Sequence, residues 1–335
     1  MKLYKAVILI AIIMLRISLV LSQKDSIKWN MDPGKVSIKI FTNFYTGLTR
    51  ADPSSAFEAR RAYFGYMKNL DERFSGEIKL DIGSPNDISE YSRIHRYAYF
   101  KIAALYYRTS KIFFKFGIID IDHFDLQENH WKHRYIYKSF QDEFRFGDKA
   151  DLGASFHYIF SEIVRADITI MNGEGYQNLQ RDNTFKTGMG LTLYPAEGYV
   201  LRIYADYSSK DETQYTLSTF AGYNFAPLMA GVEYNHKYNK DYLKNRNQWG
   251  FSGYCSYDLN NRLELFGRYD LLRSNILSED SRPWNLSEDG SVLIAGIQFA
   301  PVRGVRIALN YQDWYPYAAN LANLSYIYLN LELFF

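Results

Sequence analysis

The feature that most limits what this chain can fold into is a period of two. Residues 73–81 set Phe74, Gly76, Ile78 and Leu80 against Arg73, Ser75, Glu77, Lys79 and Asp81. Residues 262–271 set Leu263, Leu265, Gly267, Tyr269 and Leu271 against Arg262, Glu264, Phe266, Arg268 and Asp270. Successive side chains of a strand point to opposite faces, so each stretch reads as a strand with one apolar and one charged side. The pattern recurs and gives sixteen candidate strands, near 35–45, 57–69, 73–82, 96–108, 111–118, 150–159, 163–172, 184–194, 199–208, 213–224, 228–238, 247–258, 262–273, 291–300, 303–313 and 322–335. Short connections, such as Thr109-Ser110, Ala226-Pro227 and Pro301-Val302, alternate with mostly longer ones, such as 83–95, 119–149 and 274–290. That succession is a chain of hairpins with both termini on the short-turn side.

Alternation alone does not say which face is wet. In a soluble sandwich the apolar face is the core; in a membrane barrel it meets lipid, and the charged face lines water. Strand length decides for the barrel, because these stretches approach the roughly 9–11 residues that cross a bilayer, against about 5–6 in globular proteins. The aromatic content agrees: 30 Tyr and 23 Phe with only 8 Pro, and Tyr gathers where a protein crosses a membrane–water boundary. The negative mean hydropathy, −0.31, is what a wall with every second residue polar produces. In hydrocarbon every backbone N–H and C=O needs a partner, so strand 35–45 is expected to close on strand 322–335. The expected fold class is therefore all-β: a transmembrane antiparallel β-barrel of about sixteen strands with a long inward-folded loop after strand 5.

The N-terminus reads as a signal peptide, residues 1–22. Lys2 and Lys5 precede an apolar run from Ala6 to Leu21, broken by Arg16 and Ser18, and Val20-Leu21-Ser22 forms a cleavage site. Residues 23–335 are then the barrel. The leader holds three of the 39 basic residues and no acid, leaving 36 against 37 acidic ones; this balance points to no nucleic-acid partner. Cys255 is the single cysteine, so no internal disulfide forms. The closing stretch, with Ile327, Leu329, Leu331 and Leu333 on one face and Phe335 last, resembles the signal read by the outer-membrane assembly machinery.

Residues 119–149 have no clean period and are dense in aromatics and in charges of both signs. A loop of this length is usually functional or disordered, and Phe124, Trp131, Tyr135, Tyr137, Phe140, Phe144 and Phe146 argue for order. The expected role is a constriction loop, with Asp120, Trp131, Arg134, Asp142 and Glu143 in it. Its histidines, His123, His130 and His133, read as packing residues; His130 and His133 with Glu128 as a metal site, or the acidic run Asp120–Asp125 as a calcium site, are weaker readings. Parity puts Arg61, Arg73, Lys79, Lys101, Lys111, Lys115, Arg165, Lys186, Arg202, Arg262, Arg268 and Arg306 in the lumen. Ten acids share it: Glu77, Asp81, Asp151, Asp167, Asp206, Glu233, Asp258, Glu264, Asp270 and Glu332. Two readings follow: the charges pair across the wall, or an unpaired basic subset, best Lys101, Lys111 and Lys115, selects anions. No nucleophile signature or phosphate-cradling glycine loop stands near a histidine, so no enzyme and no cofactor is expected.

Several motifs resemble the phosphate-selective porin O/P family: FEARRAYFGY at 57–66, RYIYKSFQDEF at 134–144, DLGASF at 151–156 and NGEG at 172–175, in order across roughly 57–208. The resemblance implies a sixteen-stranded, homotrimeric outer-membrane barrel that admits small anions such as phosphate. The chain carries Gly117-Ile118-Ile119-Asp120 where that family has Pro-Phe-Gly after its fifth strand, so the departure falls at the point that bears on phosphate selectivity. The expectation is a porin of the bacterial outer membrane, embedded in its lipid, passing small hydrophilic solutes by passive diffusion. The alternative is a non-conducting surface barrel whose outer loops, 274–290 with Trp284 among them, serve adhesion or complex assembly.

Overall fold

Sixteen antiparallel strands close into one ring. In the computed structural model, which describes residues 33–50, 52–83, 98–275, 288–318 and 321–335, they are β1 (Lys35–Gly47), β2 (Ser55–Asn69), β3 (Phe74–Ile82), β4 (Ala98–Arg108), β5 (Ile112–Asp120), β6 (Ala150–Ile159), β7 (Val164–Met171), β8 (Lys186–Leu193), β9 (Tyr199–Ser209), β10 (Thr213–Phe225), β11 (Leu228–Tyr238), β12 (Gln248–Asp258), β13 (Leu263–Ser274), β14 (Gly290–Phe299), β15 (Val305–Pro316) and β16 (Leu324–Phe334). Each pairs with its neighbours in sequence, and β1 pairs with β16, Lys39 opposite Phe334 and Gly47 opposite Tyr326. Every strand read from the alternation is present, its ends shifted by a few residues. The expected leader 1–22, His95 and Trp284 lie outside the described residues.

The two faces separate as the period of two requires. Outward side chains such as Ile78, Phe116, Ile168, Leu201, Leu265 and Leu309 are exposed, which suits hydrocarbon. At the long-loop end, outward Tyr215 stacks on Tyr238 (4.4 Å between centroids), and His236 stacks on Tyr238 (3.9 Å) and lies 5.6 Å from Trp249. Such amphipathic rings belong at a membrane–water boundary.

Two β-bulges break the parity. Phe41 pairs with Arg61 and Thr42 with Ala59, leaving Arg60 without a partner across the ladder. Lys79 pairs with Ile102 and Leu80 with Phe100, leaving Lys101 in the same position on β4. An extra residue in one strand re-aims its neighbours, so Arg60 joins Arg61 on the inward side.

The segment after β5 departs from the expected irregular loop. β5 runs to Asp120, so Ile119 and Asp120 belong to the wall, and the connection is 121–149. It contains a ten-residue helix, α1 (Asp122–Trp131), and a single turn, α2 (Phe140–Glu143). Asp122 and Asp125 in the first turn suit the positive end of the helix dipole. Lys132 ends α1 in the left-handed region (φ 62°), its N–H donating to the Glu128 carbonyl. Its buried face is His123, Phe124, Gln127, His130 and Trp131, a helical spacing carried mostly by polar side chains.

Candidate functional site

The inward wall and the 121–149 segment are built against each other. The Trp131 side chain is fully buried, 5.0 Å from the Tyr254 ring on β12, and its indole N–H donates to the Tyr137 carbonyl (3.0 Å). His123 stacks on Tyr204 of β9 at 4.3 Å, and His130 lies edge-on to Phe220 of β10. His133 lies 4.7 Å from Phe266 of β13, and Tyr135 donates its hydroxyl to Gln298 of β14. Gln312 of β15 and Asn330 of β16 donate to the carbonyls of Ile136 and Tyr135 (3.5 and 3.3 Å), and Tyr135 lies 6.5 Å from Phe41 of β1. Phe140 and Phe146 pack on Leu272. These contacts set the segment among inward side chains from β9 round to β1. The inward wall beneath it is correspondingly apolar at Val200, Phe220, Met229, Phe266, Val292, Ile294 and Ala308, which join Trp131, Tyr135 and Ile136 in one cluster.

Charge is matched almost pair by pair. Arg61 of β2 meets Asp81 (3.2 Å), Lys79 of β3 meets Glu77 (2.7 Å) and Arg306 of β15 meets Glu332 (2.7 Å). Arg202 of β9 grips Asp167 with two N–H groups, both at 2.8 Å. Arg268 of β13 holds Asp270 the same way and donates to the Lys138 carbonyl. Lys186 lies 3.9 Å from Asp206. In the segment, Arg134 meets Glu128 (3.0 Å) and Asp142 (3.3 Å), Lys149 donates to Glu128, and Lys138 lies 3.5 Å from Glu143.

The basic subset Lys101, Lys111 and Lys115 is not brought together as free cations. Lys115 is buried and bonded to Asp120 (2.9 Å) and Asp122 (2.7 Å), because the end of β5 and the start of α1 fold back over it. Lys111 is exposed in the turn between β4 and β5, outside both strands; Arg73 and Arg262 lie in turns in the same way. Only Lys101 keeps the expected character: buried in its bulge, it sits 4.8 Å above the Tyr63 ring. Arg165 stands exposed near the short-turn end of β7, over the Tyr194 ring. Phe335 is exposed, and its backbone pairs with Ile38.

The electrostatics of the segment follow from burial and neighbours. Burial pushes the Glu128 carboxyl upward, but Lys149, Arg134 and Lys101 outweigh it and hold the group well below the usual carboxylate range. Asp142 behaves likewise beside Arg134. Asp125 is pushed well above its ordinary value by burial and by the neighbouring Asp120 carboxylate. Burial, then Arg202, drives His123 well below 6.5. His130 is lowered by burial too, and its Nε2 lies 2.8 Å from the Ala230 carbonyl. His133 is engaged by the Trp131 carbonyl and Glu264, so His130, His133 and Glu128 serve separate partners. Among the described residues no group of three or more His, Cys, Asp or Glu is placed to hold a metal ion.

Sequence reasoning missed Asn43, Glu58 and Arg60 on the inward faces of β1 and β2, and the ring group Tyr45, Tyr326 and Tyr328 beside them. The Arg-Arg pair at 60–61 was visible, but only the bulge sends both inward.

No protein-family model and no curated protein matches the chain. Solved structures do. Salmonella typhi OmpF in complex with daunomycin matches at a TM-score of 0.68 and 11% identity, over 90% of this chain and 97% of that one. The outer-membrane channel DcaP of Acinetobacter baumannii matches at 0.67 and 12%, over 92% and 99%. The fold is that of a bacterial outer-membrane porin. OmpT of Vibrio cholerae matches at 0.63 and 9%, over 91% and 99%, and another structure of it is of a trimer form. At these identities the porin likeness concerns the fold.

Proposed function

We propose that this chain is a porin of the bacterial outer membrane that passes small hydrophilic solutes by passive diffusion, through a bore narrowed by the 121–149 segment. The observation that carries this reading is a closed wall that is apolar outside and charged inside, with part of its charged inward face still in contact with solvent. Arg61, Glu77, Lys79 and Arg306 are only half-buried, whereas a barrel packed shut would bury them all. A homotrimer fits this reading, as does removal of an N-terminal leader on export and use of Phe335 in assembly. Phosphate preference draws its support from the motif resemblance and from Lys101, which among the described residues meets no carboxylate within ion-pair distance; with Arg61, Lys79, Lys115, Arg202, Arg268 and Arg306 paired, the expected anion preference is weak.

A second reading, a non-conducting surface barrel, is favoured by the breadth of the interior packing, since the segment reaches wall residues from β9 to β1. Planar-bilayer recording separates the two. Discrete conductance steps from the purified, folded protein are expected; their absence from well-folded protein overturns the porin reading and leaves the surface barrel.

A further inference from the structure

At the long-loop end of β1, β2 and β16, the inward wall changes character. Tyr45, Tyr326 and Tyr328 form a ring group with centroids 5.7–5.9 Å apart, none of them fully buried. Tyr326 is fixed by donating its hydroxyl to Asp52 (2.6 Å). Tyr45 stands opposite Tyr328 across the ladder, and one step further into the bore Asn43 stands opposite both Asn330 and Glu58. Both side-chain polar atoms of Asn43 are buried without a partner among the described residues. Burying an unpaired amide is costly, so a group left in that state stands ready for something else to bond it. Arg60, turned inward by its bulge, lies within electrostatic reach of Tyr328, as does Glu58. Among the described residues neither makes an ion pair of the kind that ties down Arg61, Lys79, Arg202, Arg268 and Arg306.

We propose that Tyr45, Tyr326 and Tyr328, with Asn43, Glu58 and Arg60, form a binding subsite for a neutral saccharide at the outer mouth of the bore. The proposal rests on the channel reading above and names a solute class for it. The apolar C–H face of a sugar ring packs on aromatic faces as other amphipathic surfaces do. Its hydroxyls both donate and accept, which matches an amide offering both functions, a carboxylate that only accepts and a guanidinium that only donates. Glu58 and Arg60 cancel in charge, so the subsite offers a free anion such as phosphate little net attraction. Binding must stay weak for solute to leave again, so dissociation constants on the order of millimolar are expected.

The test uses the folded full-length protein in planar bilayers with linear glucose oligomers of increasing length. The expected result is a saturable interruption of current that strengthens along the series and weakens about tenfold when Tyr45→Ala and Tyr328→Ala are combined. Polyethylene glycol of equal size should give no saturable block. If conductance steps appear but sugars never block them, or block both proteins equally, the subsite is refuted while the channel stands. Saturable block by glycylglycine instead of sugar also overturns it, since a zwitterion could use Glu58 and Arg60. If no steps appear, the channel reading falls, and calorimetric titration of oligosaccharide into folded protein decides the subsite: binding lost in the tyrosine variant keeps it, and no binding removes it. Should the double variant fail to fold, Asn43→Ala and Glu58→Gln, each expected to weaken block several-fold, replace it; unchanged block in both counts against the proposal.

Discussion

The inward faces of β9–β13 and of β1–β3 are written in the same alternating code, yet they end in different surroundings. Under the segment, Arg202, Asp206, Thr216, Ser218, Glu233, Asn235, Ser252, Arg268 and Asp270 are all buried. Across the bore, Tyr45, Glu58, Arg60, Arg61, Glu77 and Lys79 are only half-buried. The difference comes from what 121–149 lays over each wall. Ion pairs on the covered side are cut off from water, where losing one partner strands the other. Pairs on the open side are screened and worth little. The covered side is also imperfectly matched: the hydroxyls of Ser218 and Ser252 find no partner among the described residues. Each such group opposes docking, so the segment is held less firmly than its aromatic packing alone implies.

Deleting 122–146 should change the comparison most, by converting the covered wall into a second open one. Conductance should rise several-fold in planar bilayers; an unchanged step size would mean that the segment does not limit the bore. Next in size, Trp131→Ala removes the largest side chain among the fully buried ones, and large-to-small changes of this kind cost about 3–5 kcal/mol. The loss should appear as a lower unfolding midpoint in urea and as noisier open-channel current. A variant as stable and as quiet as the parent would show that Trp131 does not anchor the segment.

What the alternation could and could not reveal follows the same division. All sixteen strands and the closure of β1 on β16 were legible, because burial on one side and lipid on the other impose a period of two that the bulges in β2 and β4 shift by one residue without erasing. α1 was not, because its buried face is written in His123, Gln127 and His130, which look like surface residues until Tyr204 and the wall receive them. The pairing of Lys115 was hidden for a related reason: its carboxylates come from the end of the strand and the start of α1, beyond the reach of same-strand parity. Lys111 was misplaced into the lumen by a one-residue error at a turn, and Arg60 was overlooked because a bulge cannot be read from one strand alone.

Acidification should loosen the covered side while leaving the open side nearly unchanged. His123 and His130 are held below their ordinary 6.5 in the docked segment, so docking favours their neutral forms. That contribution is complete above about pH 6.5 and is lost as pH falls. Glu128 and Asp142, held low, contribute above their ordinary 4.5 and 3.8 and lose that contribution only in stronger acid. Asp125, held high, acts in the opposite sense: its contribution is full below 3.8 and lost as pH rises. Between pH 7 and 5 the two histidines work against the single Asp125, and loosening is the net expectation, with each proton taken up worth up to about 1.4 kcal/mol per pH unit. Conductance or its noise should grow over that window in the parent and less in His123→Asn. A flat response in the parent would show that segment and wall stay docked whatever the imidazoles carry.

The smallest effect should come from the open side. Lys79→Met breaks the pair with Glu77, where the lysine side chain keeps 29% of its exposure and the acid 12%. Water can still reach both groups, so the loss should be about 0.2–1 kcal/mol. Arg202→Met makes the same formal change under the segment, where Arg202 and Asp167 keep 2% and 7%, and there the stranded carboxylate should cost about 3–5 kcal/mol. Comparing the two variants by urea unfolding isolates the covering itself, since both remove one cation from one inward pair. Repeating the pair of measurements in the 122–146 deletion should bring the two costs together. If Arg202→Met stays as costly without the segment, its burial comes from the wall, and the contrast between the two sides is not the segment's doing.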